Sequence, residues 1–327
     1  MPPLLLDPAL FTENAITADT AAMTEKIEML LASVPSVMEV GAPLVRERRK
    51  EKQGLLADEP HHEDARWGEA AAMGQTVPVR IIQPQADITG VYLHIHGGGH
   101  TLGSADAQDQ SLAHFAAALG VAVVSVEYRL APENPWPAPA DDCEVAALWL
   151  THHAKALFGT DSLFIGGESA GAHLALVTML RLKTRHQLTP FRAANLVYGV
   201  YDMNGTPSVH TWGERNLVIN TPIIQWFCDQ LLPPDQFDVG RRRHPDISPL
   251  YADVKGLCPA LFTIGTLDPL LDDSLLMSAK WVVAGNGAEL AIYPGGIHAF
   301  TMLKDLPIAE EAKGRMIDFL QKHKSTS

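Results

Sequence analysis

Gly167-Glu168-Ser169-Ala170-Gly171 lies between an apolar run, Ser162-Leu163-Phe164-Ile165, and a helical pattern that begins at Ala170. A chain that must pass from strand to helix in so few residues has few folds open to it. Gly-x-Ser-x-Gly in this setting reads as a nucleophile elbow. A Cβ at 167 or 171 would collide with the neighbouring strand and helix, so both flanks must be small. The serine then takes a strained backbone conformation that holds its Oγ above the sheet, and the helix N-terminus behind it favours negative charge nearby. The competing reading is a glycine-rich turn with a serine N-cap. The strand before and the helix after argue for the elbow.

The rest of the chain alternates in the same manner. Apolar or β-branched runs at 77–83, 91–96, 121–127, 163–166, 194–198, 261–265 and 290–293 predict strands. Longer amphipathic runs at 107–119, 140–153, 170–183, 272–284 and 308–322 predict helices between them. Several strands are apolar almost throughout, as expected where helices cover both faces of a mostly parallel sheet. The fold class is therefore α/β, with ligands at the carboxyl ends of the strands.

Two segments break the alternation. Met23, Ile27, Leu30, Leu31 and Val34 repeat at helical spacing before the first strand, and a charged stretch follows at 46–52. Residues 204–245 interrupt the sheet with Thr221-Pro222, an apolar helical run (Ile223, Ile224, Trp226, Phe227) and Pro233-Pro234. Forty-odd residues exceed a simple connection and build something of their own. A lid is the preferred reading over surface decoration.

Composition narrows the partners. The 327 residues carry a formal charge of −13, which repels phosphate backbones and argues against nucleic acid. No stretch reaches the about 18 apolar residues of a membrane span. Met1-Pro2-Pro3-Leu4-Leu5-Leu6-Asp7 lacks a basic n-region, so no signal peptide is expected. Cys143, Cys228 and Cys258 lack metal or redox spacing and read as buried thiols of a reducing, cytoplasmic setting.

A serine hydroxyl needs a base oriented by an acid. Downstream of Ser169, Asp268 follows the strand Ala260-Leu261-Phe262-Thr263-Ile264-Gly265, and His298 follows the next one in Pro294-Gly295-Gly296-Ile297-His298. The order serine, acid, histidine at successive strand ends is that of the elbow fold. Asp272 and Asp273 compete for the acid's role but fall where a helix begins and read as capping acids. His96-Gly97-Gly98-Gly99 ends an early strand, and its glycines, with the N–H of Ala170, suit an oxyanion hole. His94, His96 and His100 could instead hold a metal. No matching ligand pair follows, so no metal is expected and His94 reads as packing.

These segments resemble the hormone-sensitive-lipase-like α/β-hydrolases, also called bacterial esterase family IV. The resemblance rests on His96-Gly97-Gly98-Gly99 with Gly167-Glu168-Ser169-Ala170-Gly171, then Tyr128-Arg129-Leu130-Ala131-Pro132-Glu133, Pro135-Trp136-Pro137-Ala138 and Asp141-Asp142. Ser248-Pro249-Leu250, Asp268-Pro269-Leu270 and Tyr293-Pro294-Gly295-Gly296-Ile297-His298-Ala299-Phe300 extend it over roughly residues 75–320. It implies an α/β-hydrolase fold with a helical cap: N-terminal cap helices at 1–58, core at 59–203, cap insertion at 204–245 and core again at 246–327. By the same resemblance Ser169 is the nucleophile, Asp268 the acid, His298 the base, and Gly98, Gly99 and Ala170 the oxyanion donors. Pro132–Pro139 reads as a loop ordering the floor of the site, and His173 as packing.

One departure stands out. The family usually has an aromatic residue after the triple glycine, where this chain has His100. Its ring, with Gly97, is expected at the pocket wall, offering a hydrogen bond and a charge that switches near neutral pH. The alternative is a ring that only hydrogen-bonds the loop. The expected activity is hydrolysis of short to medium acyl esters through an acyl-enzyme, with no cofactor. An amidase or deacetylase would use the same triad, whereas a non-catalytic receptor on this fold would have lost His298. The expected partner is a small-molecule ester, and there is room for a homodimer.

Overall fold

Side chains on successive strand residues feed two separate apolar clusters, and that division sets the architecture. The computed structural model describes residues 4–324. Met1, Pro2 and Pro3 of the start read for a leader, and the last three residues of the second core segment, lie outside them. The strands are β1 (Arg66–Ala72), β2 (Gln75–Ile82), β3 (Val91–Ile95), β4 (Ala122–Val126), β5 (Leu163–Glu168), β6 (Phe191–Val197), β7 (Ala260–Leu267) and β8 (Ala288–Ile297). They form one sheet in the order β1-β2-β4-β3-β5-β6-β7-β8. β1 with β2 and β2 with β4 are antiparallel, and all later pairs are parallel.

Every residue of β3 and β4 is buried. Val91, Leu93 and Ile95 enter one cluster while Tyr92 enters the other; Val124 and Val126 join the first and Val123 the second. A strand apolar on both faces requires helices on both. The helices are α1 (Ala18–Ala32), α2 (Val37–Val40), α3 (Ala42–Lys50), α4 (Asp109–Leu119), α5 (Ala138–Phe158), α6 (Ala170–His186), α7 (Pro207–Trp212), α8 (Thr221–Leu231), α9 (Val239–Arg242), α10 (Leu271–Val283) and α11 (Pro307–Lys322). α5, α6 and α10 cover the first face, with Ala146, Leu176 and Trp281 in its cluster. α4 and α11 cover the second through Leu112, Ala116, Phe319 and Leu320. Among the described residues no helix is long and apolar enough to cross a membrane.

The seven strands read from sequence fall on β2 to β8. β1 was not legible, because Arg-Trp-Gly-Glu-Ala-Ala-Ala lacks the β-branched signature of a strand. It is an edge strand with only Ala70 buried, held by its ladder to β2. The N-terminal stripe also differs from expectation. α1 buries Thr20, Thr24 and Ile27, whereas Leu30 and Val34 are 45% and 48% exposed. The buried line includes two threonines that a search for apolar residues passes over. Segment 204–245 carries α7, α8 and α9, and Arg215 within it donates to Glu28 of α1 at 2.9 and 2.8 Å.

Beneath this, Arg181 of α6 is 1% exposed and joins three parts of the chain. Its guanidinium donates to Asp246 at 2.8 and 2.7 Å, to Asp141 at 2.8 Å and to Glu144 at 3.2 Å. It also lies over the Trp136 ring, 5.2 Å from the centroid. Removing one member of a buried charge network exposes the others to desolvation without compensation. Arg181→Met should therefore cost about 3 kcal/mol in denaturant unfolding. A loss below about 1 kcal/mol, the range of surface pairs, would show that the network is not a strut.

Candidate active site

The elbow is built as its glycines require. Ser169 sits between β5 and α6 with φ 56° and ψ −118°, a left-handed conformation that non-glycine residues avoid. A Cβ on either Gly167 or Gly171 would overlap the carbonyl oxygen of Ile95, at the end of β3. Ser169 N–H donates to Val197 O at 2.8 Å, and Ser169 O accepts from His173 N–H at 3.2 Å. The strained residue is thus held from both sides.

Ser169, Asp268 and His298 meet at the carboxyl ends of β5, β7 and β8. His298 Nε2 lies 2.9 Å from Ser169 Oγ, and His298 Nδ1 lies 2.9 Å from Asp268 Oδ2. The carboxylate can only accept, so Nδ1 carries the proton and Nε2 is left to accept from the serine hydroxyl. Asp268 is 1% exposed, and its other oxygen accepts from Leu270 N–H at 2.9 Å. His298 is 4% exposed, with the Tyr198 ring packed edgewise at 4.9 Å. Gly97, Gly98, Gly99, His100 and Ala170 line the same cavity, of about 190 Å³. Among the described residues the N–H groups of Gly98, Gly99 and Ala170 meet no backbone acceptor. Such free donors beside a nucleophile can hold a developing oxyanion.

The glycine run is supported from below. Tyr128 O–H donates to His96 O at 2.8 Å, and its ring stacks on the His96 ring at 4.1 Å. His96 Nδ1–H donates to Gly97 O at 2.9 Å, and burial pushes this histidine down to about 4, so it is neutral at ordinary pH.

A family description for the alpha/beta hydrolase fold matches residues 92–302, the span that contains all of these groups. The chain belongs to the hormone-sensitive-lipase-like α/β-hydrolases. It is 33% identical over 261 residues to an ethyl acetate hydrolase of Pseudomonas putida, covering 76% of this chain and 80% of that protein. It is 30% identical over 250 residues to carboxylesterase NlhH of Mycobacterium tuberculosis, covering 75% and 78%. A hyperthermophilic esterase from Pyrobaculum calidifontis superposes with TM-score 0.82 at 26% identity, over 92% of this chain and 97% of that one. This α/β-hydrolase is a carboxylic ester hydrolase.

Several residues of the esterase behave differently from their sequence reading. His94 is more than packing: its Nδ1 lies 2.9 Å from Ser125 Oγ and its Nε2 3.1 Å from Glu168 Oε2, so it links the strand beneath the elbow to the elbow itself. His94, His96 and His100 therefore turn to separate partners, and no group of three or more metal-type side chains converges among the described residues. His100 lines the cavity, but it does not bring the expected charge. His173 Nε2–H donates to Ile247 O at 2.8 Å, leaving His173 Nδ1 to accept from His100 Nε2–H at 3.0 Å. Burial, with His173 beside it, holds His100 well below the usual histidine range. The His100 ring is a neutral strut to α6, and His173 is its anchor. Tyr198 was missed altogether. It follows β6 as Ser169, Asp268 and His298 follow their strands, and that strand-end position is the signal that could have found it.

Asp272 and Asp273 lie in the first turn of α10 but make no capping hydrogen bond to it; they hold the start of the insertion. Asp272 accepts from Ser208 N–H at 2.8 Å. Asp273 accepts from Tyr201 N–H at 2.6 Å, Asp202 N–H at 3.1 Å and Thr206 O–H at 2.7 Å. Burial, with the charge of Asp202 adding to it, raises Asp273 to about 7 despite these bonds. An unfolded aspartate ionises near about 4. Between about 4 and 7 the unfolded chain therefore loses a proton that the folded one keeps, and stability falls as pH rises through that window. Asp273→Asn should remove this contribution, so its Tm should fall less than the wild type's over that range. Equal falls in both proteins would refute the assignment.

Proposed function

We propose that the esterase works through Ser169, His298 and Asp268 by way of an acyl-enzyme, on short to medium acyl esters. The observation that carries the reading is the pair of 2.9 Å contacts running from Ser169 Oγ through the His298 ring to Asp268. Ser169 attacks the ester carbonyl as its proton passes to His298 Nε2, and Asp268 stabilises the imidazolium so formed. The N–H groups of Gly98, Gly99 and Ala170 receive the oxyanion, each donor being worth about 3 kcal/mol of barrier. The alcohol leaves with the proton from His298. Water, deprotonated by the same nitrogen, then attacks the acyl-enzyme and releases the acid. The preference for shorter chains is supported by the cavity of about 190 Å³, and by the name of the Pseudomonas putida relative, an ethyl acetate hydrolase.

In this reading the described residues of 1–58, with 204–245, are a cap over a core formed by 59–203 and the described residues of 246–327. Support comes from Val37, Val45, Val218, Ile219, Ile224 and Phe227, which line the cavity from those two segments. We also assign the enzyme to the cytoplasm, on the strength of three free cysteines.

Ser169→Ala removes one oxygen and little packing, so the protein should remain folded while p-nitrophenyl butyrate turnover falls by at least about 10⁴-fold. Asp268→Asn should cost about 10⁴-fold, because the histidine is then held in the wrong tautomer. Near-normal turnover in the serine variant, or a larger loss from Asp272→Asn than from Asp268→Asn, would overturn the assignment.

A further inference from the structure

Most of the cavity wall is apolar, but Arg49, Asp58 and Gln108 line it as well, and the ester chemistry uses none of them. Their side chains make no hydrogen bond or ion pair with any described residue, yet none of the three is fully exposed. None of their polar atoms is sealed from open space either. Partly covered side chains without partners, on residues that line a cavity, are available to a molecule held there. Burial lowers the guanidinium of Arg49 and raises the carboxyl of Asp58 from their ordinary values, the direction expected of charges withdrawn from bulk water.

The frame that presents them is fixed. One turn before Arg49 on α3, Arg46 donates to Thr101 O at 2.7 Å, to Ala131 O at 2.6 Å and to both oxygens of Glu133 at 2.9 Å. α3 is thereby clamped against the loop that follows the glycine run. Asp58 N–H donates to Arg49 O at 3.1 Å, which brings Asp58 beside Arg49, while no pair within 4.0 Å joins the two charges. Arg46 has its carboxylate; Arg49 does not.

The chemistry of the three groups restricts what can satisfy them. A guanidinium donates, a carboxylate accepts, and an amide does both. Their formal charges cancel, so an anion would be drawn by Arg49 and repelled by Asp58. A hydroxyl both donates and accepts and carries no charge. The apolar wall at Ile219, Ile224 and Phe227 suits an acyl chain, which leaves the polar wall to the alcohol part of the ester.

We propose that Arg49, Asp58 and Gln108 form a polar subsite for the alcohol moiety of the substrate, and that this moiety is a neutral polyol with adjacent hydroxyls. The subsite rests on the ester-hydrolase reading of Ser169 and specifies the substrate class for that site.

The test compares 1-monobutyrin with propyl butyrate, which share an acyl group and differ by two hydroxyls, using acid release at constant pH. The wild type should show kcat/KM for monobutyrin about 10-fold or more above that for propyl butyrate, since a site built to bind a hydroxyl discriminates against its absence. Arg49→Met and Asp58→Asn should each bring that ratio to within about threefold of unity, chiefly through KM. A ratio is insensitive to the amount of folded enzyme, so partial misfolding of one variant does not obscure the result. Equal kcat/KM for the two esters in the wild type would overturn the subsite, as would an unchanged ratio in both variants. The anionic ester 3-(butyryloxy)propanoate completes the panel. If it is the preferred substrate, and only Arg49→Met removes that preference, the polyol class is wrong and the site takes anions. Failure of the underlying reading looks different: Ser169→Ala would then still hydrolyse propyl butyrate, whatever the ratio.

Discussion

The approach of the Ile95 carbonyl to Gly167 and Gly171 is the constraint on which the site depends. No side chain fits at either position, so the end of β3 and the elbow are in direct backbone contact. Two consequences follow from that closeness. The residues after Ile95, which are the glycine run, must leave the sheet next to Ser169. Ser169 itself cannot relax from its left-handed conformation without losing the bond to Val197 O that ties it to β6. Ser169 and the free N–H groups of the glycine run are thus brought side by side by main-chain packing. The cost of the strained serine is of the order of 1–3 kcal/mol, and the surrounding sheet bears it.

Around this backbone contact the protein spends buried polar groups on orientation. Tyr128 and His96 support the glycine run from one side, and the His100–His173 pair ties it to α6 and, through Ile247 O, to the loop after α9. Arg181 draws Asp141, Glu144 and Asp246 together close to the same place, and Trp136 lies between Arg181 and His173. Hydrogen-bonded contacts of this kind have few alternative arrangements, whereas an apolar core of equal volume can repack. The site is held to one geometry for that reason.

How much of this could be read from the chain differs by element. Strands β3, β4 and β5 were legible because burial on both faces demands continuous apolar runs, and the elbow was legible because two glycines bracket a serine at a strand end. Asp268 and His298 followed from strand-end position and order. β1 was not, since an edge strand can be held by its ladder with little side-chain burial. α1 was misread in detail because threonines share its buried face with Ile27. The partners of His94, His100, Asp272 and Asp273 were beyond reach for a common reason: each binds a residue distant in sequence or in another element, such as His173 for His100 and Tyr201 for Asp273. Periodicity reports which face a residue occupies, and it carries no information about which polar group waits there.

The position of the N-terminal segment in the chain has a consequence for synthesis. Ile16 and Thr20 pack against Gly295 of β8, the strand that leads into His298, and Glu28 pairs with Arg215. Each of these residues is translated before the partner it meets. Until β8 is made, the side of α1 that meets it is open to other chains. α1 can take its place against β8 only once β8 has been made, so an earlier segment of the chain waits for a later one.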